Sequence, residues 1–205
     1  KTTNITHGSN SGTANLVLSS AGNVEARKIN GCQRIILEQF FTPCDGSTIA
    51  TANGNITVGN VTAQQAQDTT FTDVTGSSIS YTPPTGTTQV IYDFNMQMYA
   101  KDTAGFCHIA LWLDSDEVTD ARTNWRGYQP PGSDRLHFKW GFNIGGTADN
   151  AAGRVASWSS AKTIKLKIRE YSSSYETNIH AREYWDGGDD SNAVAMPTVG
   201  ITAIG

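Results

Sequence analysis

Leucine is scarce in this chain, and no long apolar run is present. The 205 residues include only 7 Leu but 25 Thr. Helix-rich domains reverse that ratio, because Leu loses little side-chain freedom in a helix whereas β-branched Thr is stiff at χ1. There are 20 Gly, and Asn, Ser and Asp separate the short apolar runs. This composition predicts an all-β protein with many short strands joined by tight turns.

Cysteine is also sparse, with three residues at Cys32, Cys44 and Cys107. A disulfide framework needs more cysteines, usually in even number, and a structural zinc site needs four ligands at close paired spacing. We therefore expect reduced, half-buried thiols. A single Cys32–Cys44 bridge is the alternative.

Charge and hydrophobicity exclude two classes of partner. The net charge of −4 and the pI near 5.5 argue against nucleic acid, because phosphate binding needs a clustered cationic surface. No apolar run approaches the roughly 20 residues that span a bilayer, so we expect no membrane insertion. A signal peptide's basic and then apolar start is absent. Because the chain begins at Lys1 rather than Met, we expect that an upstream segment was cleaved or omitted.

Residues 1–32 differ in pattern from the rest of the chain. They contain two short strand-like runs, Ala14–Leu18 and Asn23–Lys28, separated by Ser-Ser-Ala-Gly. A lone two-stranded hairpin is marginal in water. In a solvated tail the apolar side chains of Leu16, Leu18 and Val24 would stay exposed to water. Residues 1–32 are therefore predicted to form an extended stalk or intertwined arm wrapped against partner chains. Disorder is the alternative.

Residues 33–205 are predicted to form one β-sandwich head domain. Apolar residues alternate with polar ones along the strand that contains Phe94 and Met96, and the same period of two returns near Leu111, Phe138 and Leu166. The segment with least alternation, Arg34–Phe41, is predicted to be a strand buried on both sides, by the core and by a neighbour. The other predicted strands are Asn55–Thr62, Ser77–Thr82, Cys107–Asp114, Arg135–Ile144, Lys162–Tyr171, Asn178–Trp185 and Thr198–Ile204.

About ten such strands indicate a two-sheet sandwich, of which the jelly roll is the commonest form at this length. Thr62–Gln67 is the only segment with any helical character, and it is short. Ile91, Tyr99 and Trp112 place large apolar groups on the second face of their strands, which suggests subunit contacts. Scattered surface aromatics in a monomer are the alternative.

Three stretches carry a family resemblance: RIILEQFFTPCDGSTI, TTFTDVTGSSISYTPPTGTTQVIYDFNMQM and the ending PTVGITAIG. They resemble structural proteins of marine and cyanobacterial phages over roughly residues 33–205, and Phe71–Pro83 is the most specific part. The upstream NLVLSSAGNV resembles the shaft-to-head transition of phage fibres, where three chains intertwine. The head looks like the trimeric jelly roll of complement and tumour-necrosis-factor domains.

The resemblance implies a virion fibre or spike head or a capsid decoration protein, located in the virion and able to attach to a host surface. Its expected partners are two further copies in a homotrimer, other virion proteins and a host surface glycan. A free-standing carbohydrate-binding module is the second hypothesis, and a glycan hydrolase is the third. We expect no enzyme activity and no cofactor.

Acidic and histidine residues give no defined site in the sequence. Asp114–Glu117 and Trp185–Asp190 supply oxygen ligands without the spacing of a calcium loop, so solvated turn carboxylates are expected. The four histidines (His7, His108, His137 and His180) are scattered. We therefore predict no metal site and no catalytic residue.

Four aromatic residues lie in stretches that resemble loops, and they are the candidates for a ligand-facing surface. They are Trp125, Tyr128, Trp158 and Tyr175. Flat apolar rings flanked by polar groups stack on saccharides. The alternative is that these rings cap the ends of the sandwich or pack between subunits.

Overall fold

The computed structural model describes residues 34–101, 104–128, 132–181 and 193–205, with only the backbone of Tyr128 and Gly132, and the backbone of three short strands nearer the N-terminus. These residues contain strands and turns but no helix, which confirms the all-β prediction. Thr62–Gln67 forms no helix and instead contributes a two-residue strand. Within the described residues there is no helix of the length and apolarity that crossing a membrane requires.

The chain divides into two compact units, Lys1–Ile35 and Ile36–Gly205. In the first unit, three strands form an antiparallel sheet in the order β1–β2–β3. Their bounds are Asn4–Ile5 (β1), Leu16–Leu18 (β2) and Val24–Ala26 (β3). The last two lie in the two runs that the sequence predicts as strands.

The second unit contains thirteen strands within its described residues. They are β4 (Ile36–Pro43), β5 (Thr48–Thr51), β6 (Gly54–Thr57), β7 (Gln65–Ala66), β8 (Thr72–Asp73), β9 (Ile79–Tyr81), β10 (Gln89–Ala100), β11 (Ala104–Leu113), β12 (Asp116–Tyr128), β13 (Gly132–Asn143), β14 (Lys162–Glu170), β15 (Thr177–Ile179) and β16 (Thr198–Ile204). All of their pairings are antiparallel.

Two larger sheets hold most of these strands. In the first sheet, β10 pairs with β13 on one side and with β16 and β15 on the other, while β4 pairs with β16 and β7 with β15. In the second sheet, β11 lies between β12 and β14, and the far side of β14 pairs with β8 and β9. Strands β5 and β6 form a separate hairpin.

The hydrophobic core follows the predicted alternation. On β10, the residues of one face are fully buried: Val90, Tyr92, Phe94, Met96 and Met98. Of the seven residues predicted to lie in the core, six are buried: Phe94, Met96, Leu111, Phe138, Leu166 and Ile168. The seventh, Trp140, packs against the core but is only partly buried. It lies on β13, whose pairing partner among the described strands is β10.

The most specific part of the resemblance, Phe71–Pro83, is a packing motif. Val74 and Tyr81 are buried, and Gly76 adopts a φ of +85° in the turn between β8 and β9. The buried Ser77 hydroxyl donates to the Val74 carbonyl (2.7 Å) and accepts from the Leu166 amide (3.0 Å). Each of these residues therefore has a structural role inside a single chain.

Strand β4 has an inner side that faces the core and an outer side that is exposed. Its inner side contacts the core through Phe40, whose ring meets Tyr81 edge-on at 6.1 Å, and through Glu38, which accepts a hydrogen bond of 2.7 Å from the Tyr81 hydroxyl. Its other side is not covered, since Ile36 is 59% and Phe41 57% exposed. The predicted cover by the core is confirmed on the inner side, and the cover of the other side by a neighbour stays a prediction, since β4 is an edge strand whose partner among the described strands is β16.

Candidate interaction surfaces

Trp125 is part of the core and not of a ligand-facing loop. The stretch predicted as a loop is mostly strand, because β12 runs on to Tyr128 and β13 begins at Gly132. The Trp125 ring is 7% exposed and fills the space above Gly105 and Gly127, where an added side chain would collide with it. Its candidacy for ligand binding is therefore corrected.

Trp158 is also buried, at 6% exposure. Its Nε1 donates a hydrogen bond of 2.9 Å to the Tyr81 carbonyl, and its ring meets Phe142 edge-on at 5.8 Å. It lies in a segment without regular structure, as predicted, but the indole is directed into the sandwich, because burying its ring satisfies both its apolar surface and its donor.

Of the other two candidates, Tyr175 remains at the surface. It is half-buried, and its ring lies 5.9 Å from that of Tyr171, which is 63% exposed. The side chain of Tyr128 lies outside the described residues. The structure therefore retains one of the four candidates as a partly accessible ring and adds Tyr171 beside it.

The first acidic cluster is used in local pairing. Asp114, at the β11–β12 turn, accepts from the Thr163 amide (2.7 Å) and pairs with Lys162 (2.9 Å). Partial burial by itself raises the pKa of Asp114, but these two contacts lower it and hold it below its ordinary value. Hydrogen bonds from Arg122, at 2.7 and 2.9 Å, likewise lower the pKa of Glu117.

A cavity of about 260 Å³ next to the β11–β12 turn is lined by Asp114, Asp116, Arg154 and Lys162 among others. The second acidic cluster, Trp185–Asp190, lies outside the described residues. In the described part of the chain, no group of three or more His, Cys, Asp or Glu side chains is placed to hold a metal ion.

The three described histidines have different surroundings. His137 Nε2 lies 2.8 Å from Asp93, on the outer face of the first sheet. His108 is half-buried next to Phe71, and partial burial, with the charges of Arg169 and Arg122, lowers its pKa. His7 lies outside the described residues.

His180 is fully buried and has a φ of +60°. Its Nε2 lies 3.0 Å from the Thr75 carbonyl, and its Nδ1 has no hydrogen-bond partner among the described residues. Burial lowers the pKa of His180 to about 4, so the ring is neutral at pH 7.

Two of the three cysteines are buried free thiols, Cys44 and Cys107. Burial raises the pKa of each to about 12, and the thiol of Cys44 lies 3.4 Å from the Gly76 carbonyl. Cys32 lies outside the described residues. Protonated, inaccessible thiols are inert packing groups.

Two of the large apolar side chains exposed among the described residues, Ile36 and Phe41, lie on β4. The Phe41 ring lies over Gly200 of β16, on the side of the sheet opposite the core, and a side chain at position 200 would collide with it. On the same face, the Gln39 amide donates a hydrogen bond of 2.9 Å to the Thr202 hydroxyl. We call the exposed side chains of Ile36 and Phe41, with Gln39, Gly200 and Thr202, the β4–β16 surface.

The outer face of the second sheet combines cations with aromatic rings. The sequence places Lys165, Lys167 and Arg169 on the outer side of β14, which is confirmed, but of the aromatic residues beside them only Trp112 and Tyr175 were singled out. Phe106, His108, Ala110 and Trp112 follow one another at intervals of two along β11, so their side chains share one face of the strand. This spacing in the sequence would have predicted the rings on the outer face.

Comparison with protein-family models and with the curated proteins gives no match for this chain.

Proposed function

We propose that this protein is a structural component of a bacteriophage virion, in which three copies form the head of a fibre or spike or a capsid decoration. The observation that carries the proposal is the β4–β16 surface, where an edge strand exposes two large apolar side chains. Such an edge presents unpaired backbone groups and apolar area, which an isolated soluble chain normally avoids. A neighbouring copy would cover both.

The strand order supports a jelly-roll head. Counting the eight main strands along the chain, the first pairs with the eighth (β4–β16), the second with the seventh (β9–β14), the third with the sixth (β10–β13) and the fourth with the fifth (β11–β12). A long antiparallel hairpin wrapped into two sheets produces this nested pairing, which is the topology of the jelly roll.

Trimer formation would proceed head to tail around a threefold axis. In such an arrangement, the β4–β16 surface of one copy meets a different surface of the next, and rotation closes the ring. The glycine at position 200 leaves the space that the Phe41 ring occupies, so the exposed ring itself is the apolar group that this surface would offer to a neighbouring chain. Ordering of residues 1–32 as an intertwined stalk belongs to the same proposal.

A free carbohydrate-binding module is the second candidate function. It is favoured by one observation, the adjacent rings of Tyr171 and Tyr175 at the surface. Burial of Trp125 and Trp158 removes two of the rings on which that hypothesis depended.

Antibodies raised against this chain would test the virion role. Particles from the source culture are purified on a density gradient and imaged by electron microscopy after gold labelling. We expect label on particles, at discrete positions on the tail or over the capsid. Protein found only in the soluble fraction, with unlabelled particles, would refute the virion role and favour the free module.

A further inference from the structure

Along β14, the outer face of the second sheet carries a continuous row of cations and rings, which we call the cation–aromatic face. Its aromatic and histidine members are Phe71, Phe106, His108, Trp112, Tyr171 and Tyr175. Its cations are Arg122, Arg126, Lys165, Lys167 and Arg169. All of them come from one chain, on or next to four strands of the same sheet.

Rings hold the cations of this face in place. The Lys167 ammonium lies 4.4 Å from the centre of the Trp112 ring. The guanidinium of Arg169 lies 5.3 Å from Phe71, and that of Arg126 lies 5.9 Å from Phe106. Such cation–π contacts restrict long side chains without neutralising their charge. The cations are thus partly ordered before any ligand arrives, which reduces the entropy lost on binding.

Positive charge exceeds negative charge on this face, although the whole chain has a net charge of −4. Asp73 pairs with Lys165 at 2.8 Å and lies 3.8 Å from Lys167, and Glu117 pairs with Arg122. Among the contacts described for this face, four cations (Arg122, Lys165, Lys167 and Arg169) face two carboxylates (Asp73 and Glu117), an excess of two positive charges (4 − 2 = 2). The lowered pKa of His108 has the positive charges of Arg169 and Arg122 among its causes, next to burial.

The end of the face next to Arg169 is a cluster of aromatic rings that are tilted towards one another, at 42° between Phe106 and Tyr171 and 68° between Tyr171 and Tyr175. Tyr171 is 63% exposed, and its ring lies 5.3 Å from Phe106 and 5.9 Å from Tyr175. Phe71 is 40% exposed on the other side of Arg169. A sugar ring has apolar C–H faces and polar edges, so it fits a flat ring with a guanidinium beside it. Arginine binds carboxylate and sulfate groups through two parallel hydrogen bonds.

We propose that the cation–aromatic face binds an acidic polysaccharide, with sugar rings on Tyr171 and Tyr175 and acidic groups at Arg169 and the lysines further along β14. Successive outward side chains of a strand are about 6.8 Å apart, so Lys165, Lys167 and Arg169 form a linear row suited to an extended polymer. The binding needs one chain only. The biological role of this binding rests on the proposed function: the face would attach the outward side of a virion to a host surface.

A single-stranded nucleic acid also combines negative charge with flat rings, but it fits this face less well. It carries a phosphate on every nucleotide, and Asp73 and Glu117 would repel closely spaced phosphates. The same carboxylates have the chemistry to accept hydrogen bonds from sugar hydroxyls.

The test measures affinity of the full chain by calorimetry, at one fixed salt concentration, for three acidic polysaccharides: polygalacturonate, alginate and heparin. Neutral dextran and poly(dT) are the comparison polymers. We expect the wild type to bind at least one acidic polysaccharide more tightly than dextran and poly(dT). Equal binding of dextran, tighter binding of poly(dT), or no binding of any acidic polysaccharide would overturn the proposal.

Two variants locate the binding. Removing one charge-assisted contact in Arg169→Ala should weaken affinity about tenfold. Tyr171→Ala should weaken it several-fold. The control, Arg135→Ala, makes the same charge change on the other sheet, where Arg135 contacts Asn95, and should leave affinity within about twofold.

An equal loss in Arg169→Ala and Arg135→Ala would show only general attraction to the chain, and would overturn the assignment to this face. Light scattering on the same samples separates this result from the proposed function. Failure of binding in an intact trimer refutes the polysaccharide proposal alone, and binding by a monomer refutes the trimer alone.

Discussion

The ring of Phe41 lies over Gly200 of the neighbouring strand, on the side of the first sheet that faces away from the core. Phe41 is 57% exposed although it belongs to a strand whose other side contacts the core. Burying a Phe side chain stabilises a protein by about 1.5–3 kcal/mol, so exposure of this ring forgoes a substantial contribution. A partner copy that covers the ring would recover this stabilising contribution.

Phe41→Arg is therefore expected to dissociate the assembly without unfolding the domain. The arginine places a charge in the proposed interface, while the inner face of β4, with Glu38 and Phe40, is unchanged. Light scattering should give monomer for this variant. Tyr171→Arg, an exposed aromatic on the other sheet, is the matched control and should keep the wild-type mass. Loss of the assembly in both variants would contradict the location of the interface.

Core truncations should destabilise the head domain strongly. Leu111 and Ile168 are fully buried on adjacent strands of the second sheet. Leu111→Ala or Ile168→Ala is expected to lower the free energy of unfolding by about 2–5 kcal/mol, through lost transfer energy and a residual cavity. Urea denaturation measures the change. An effect below about 0.5 kcal/mol, the range of surface substitutions, would place these side chains outside the core.

Gly76 and Gly86 form a matched pair that separates backbone strain from packing. Both have positive φ, +85° and +93°, but an added Cβ at Gly76 would meet Val61 and Cys44, whereas the space at Gly86 is open. Gly86→Ala should cost about 1–2 kcal/mol of stability through backbone strain alone. Gly76→Ala should cost about 1–3 kcal/mol more because of overpacking. Equal costs by thermal denaturation would show that Gly76 is needed only for its φ.

The buried His180 predicts a loss of stability in mild acid. Its pKa in the folded protein, about 4, is below the ordinary value of 6.5, so the unfolded chain binds a proton at higher pH than the folded one. The contribution is fully present above pH 6.5 and is lost as the pH falls towards 4, by on the order of 3 kcal/mol. Measuring the free energy of unfolding across this pH range gives the slope of stability against pH.

His180→Asn should flatten this slope, because asparagine does not titrate and tolerates the positive φ of +60°. An unchanged slope in His180→Asn would mean that another group causes the acid sensitivity.

Much of the fold was predictable because its central strands alternate. Phe94 and Leu166, with their neighbours two residues away, are apolar, the residues between them are polar or charged, and a single core imposes that period. β12 was missed as a strand for the converse reason. Its sequence, DEVTDARTNWRGY, is mostly polar, and its pairing with β11 has a bulge between Ile109 and Leu111.

The candidate surfaces were harder to predict, because whether a ring faces core or solvent depends on contacts distant in sequence. Trp158 is held by a carbonyl 77 residues away, at Tyr81, and Trp125 by the space that glycines leave. The cation–aromatic face likewise brings Phe71 to Arg169 across β8 and β14. A local sequence pattern does not show which residues distant in the chain will come into contact.

The mass of the full chain in solution, by native mass spectrometry, tests the trimer proposal most directly. One chain has a mass of 22.0 kDa, and a homotrimer has three times that mass. We predict that the trimer is the main species at micromolar concentration, with residues 1–32 protected from protease. A species with the mass of a single chain, in which residues 1–32 are rapidly cleaved, would contradict the proposal and favour an isolated binding module.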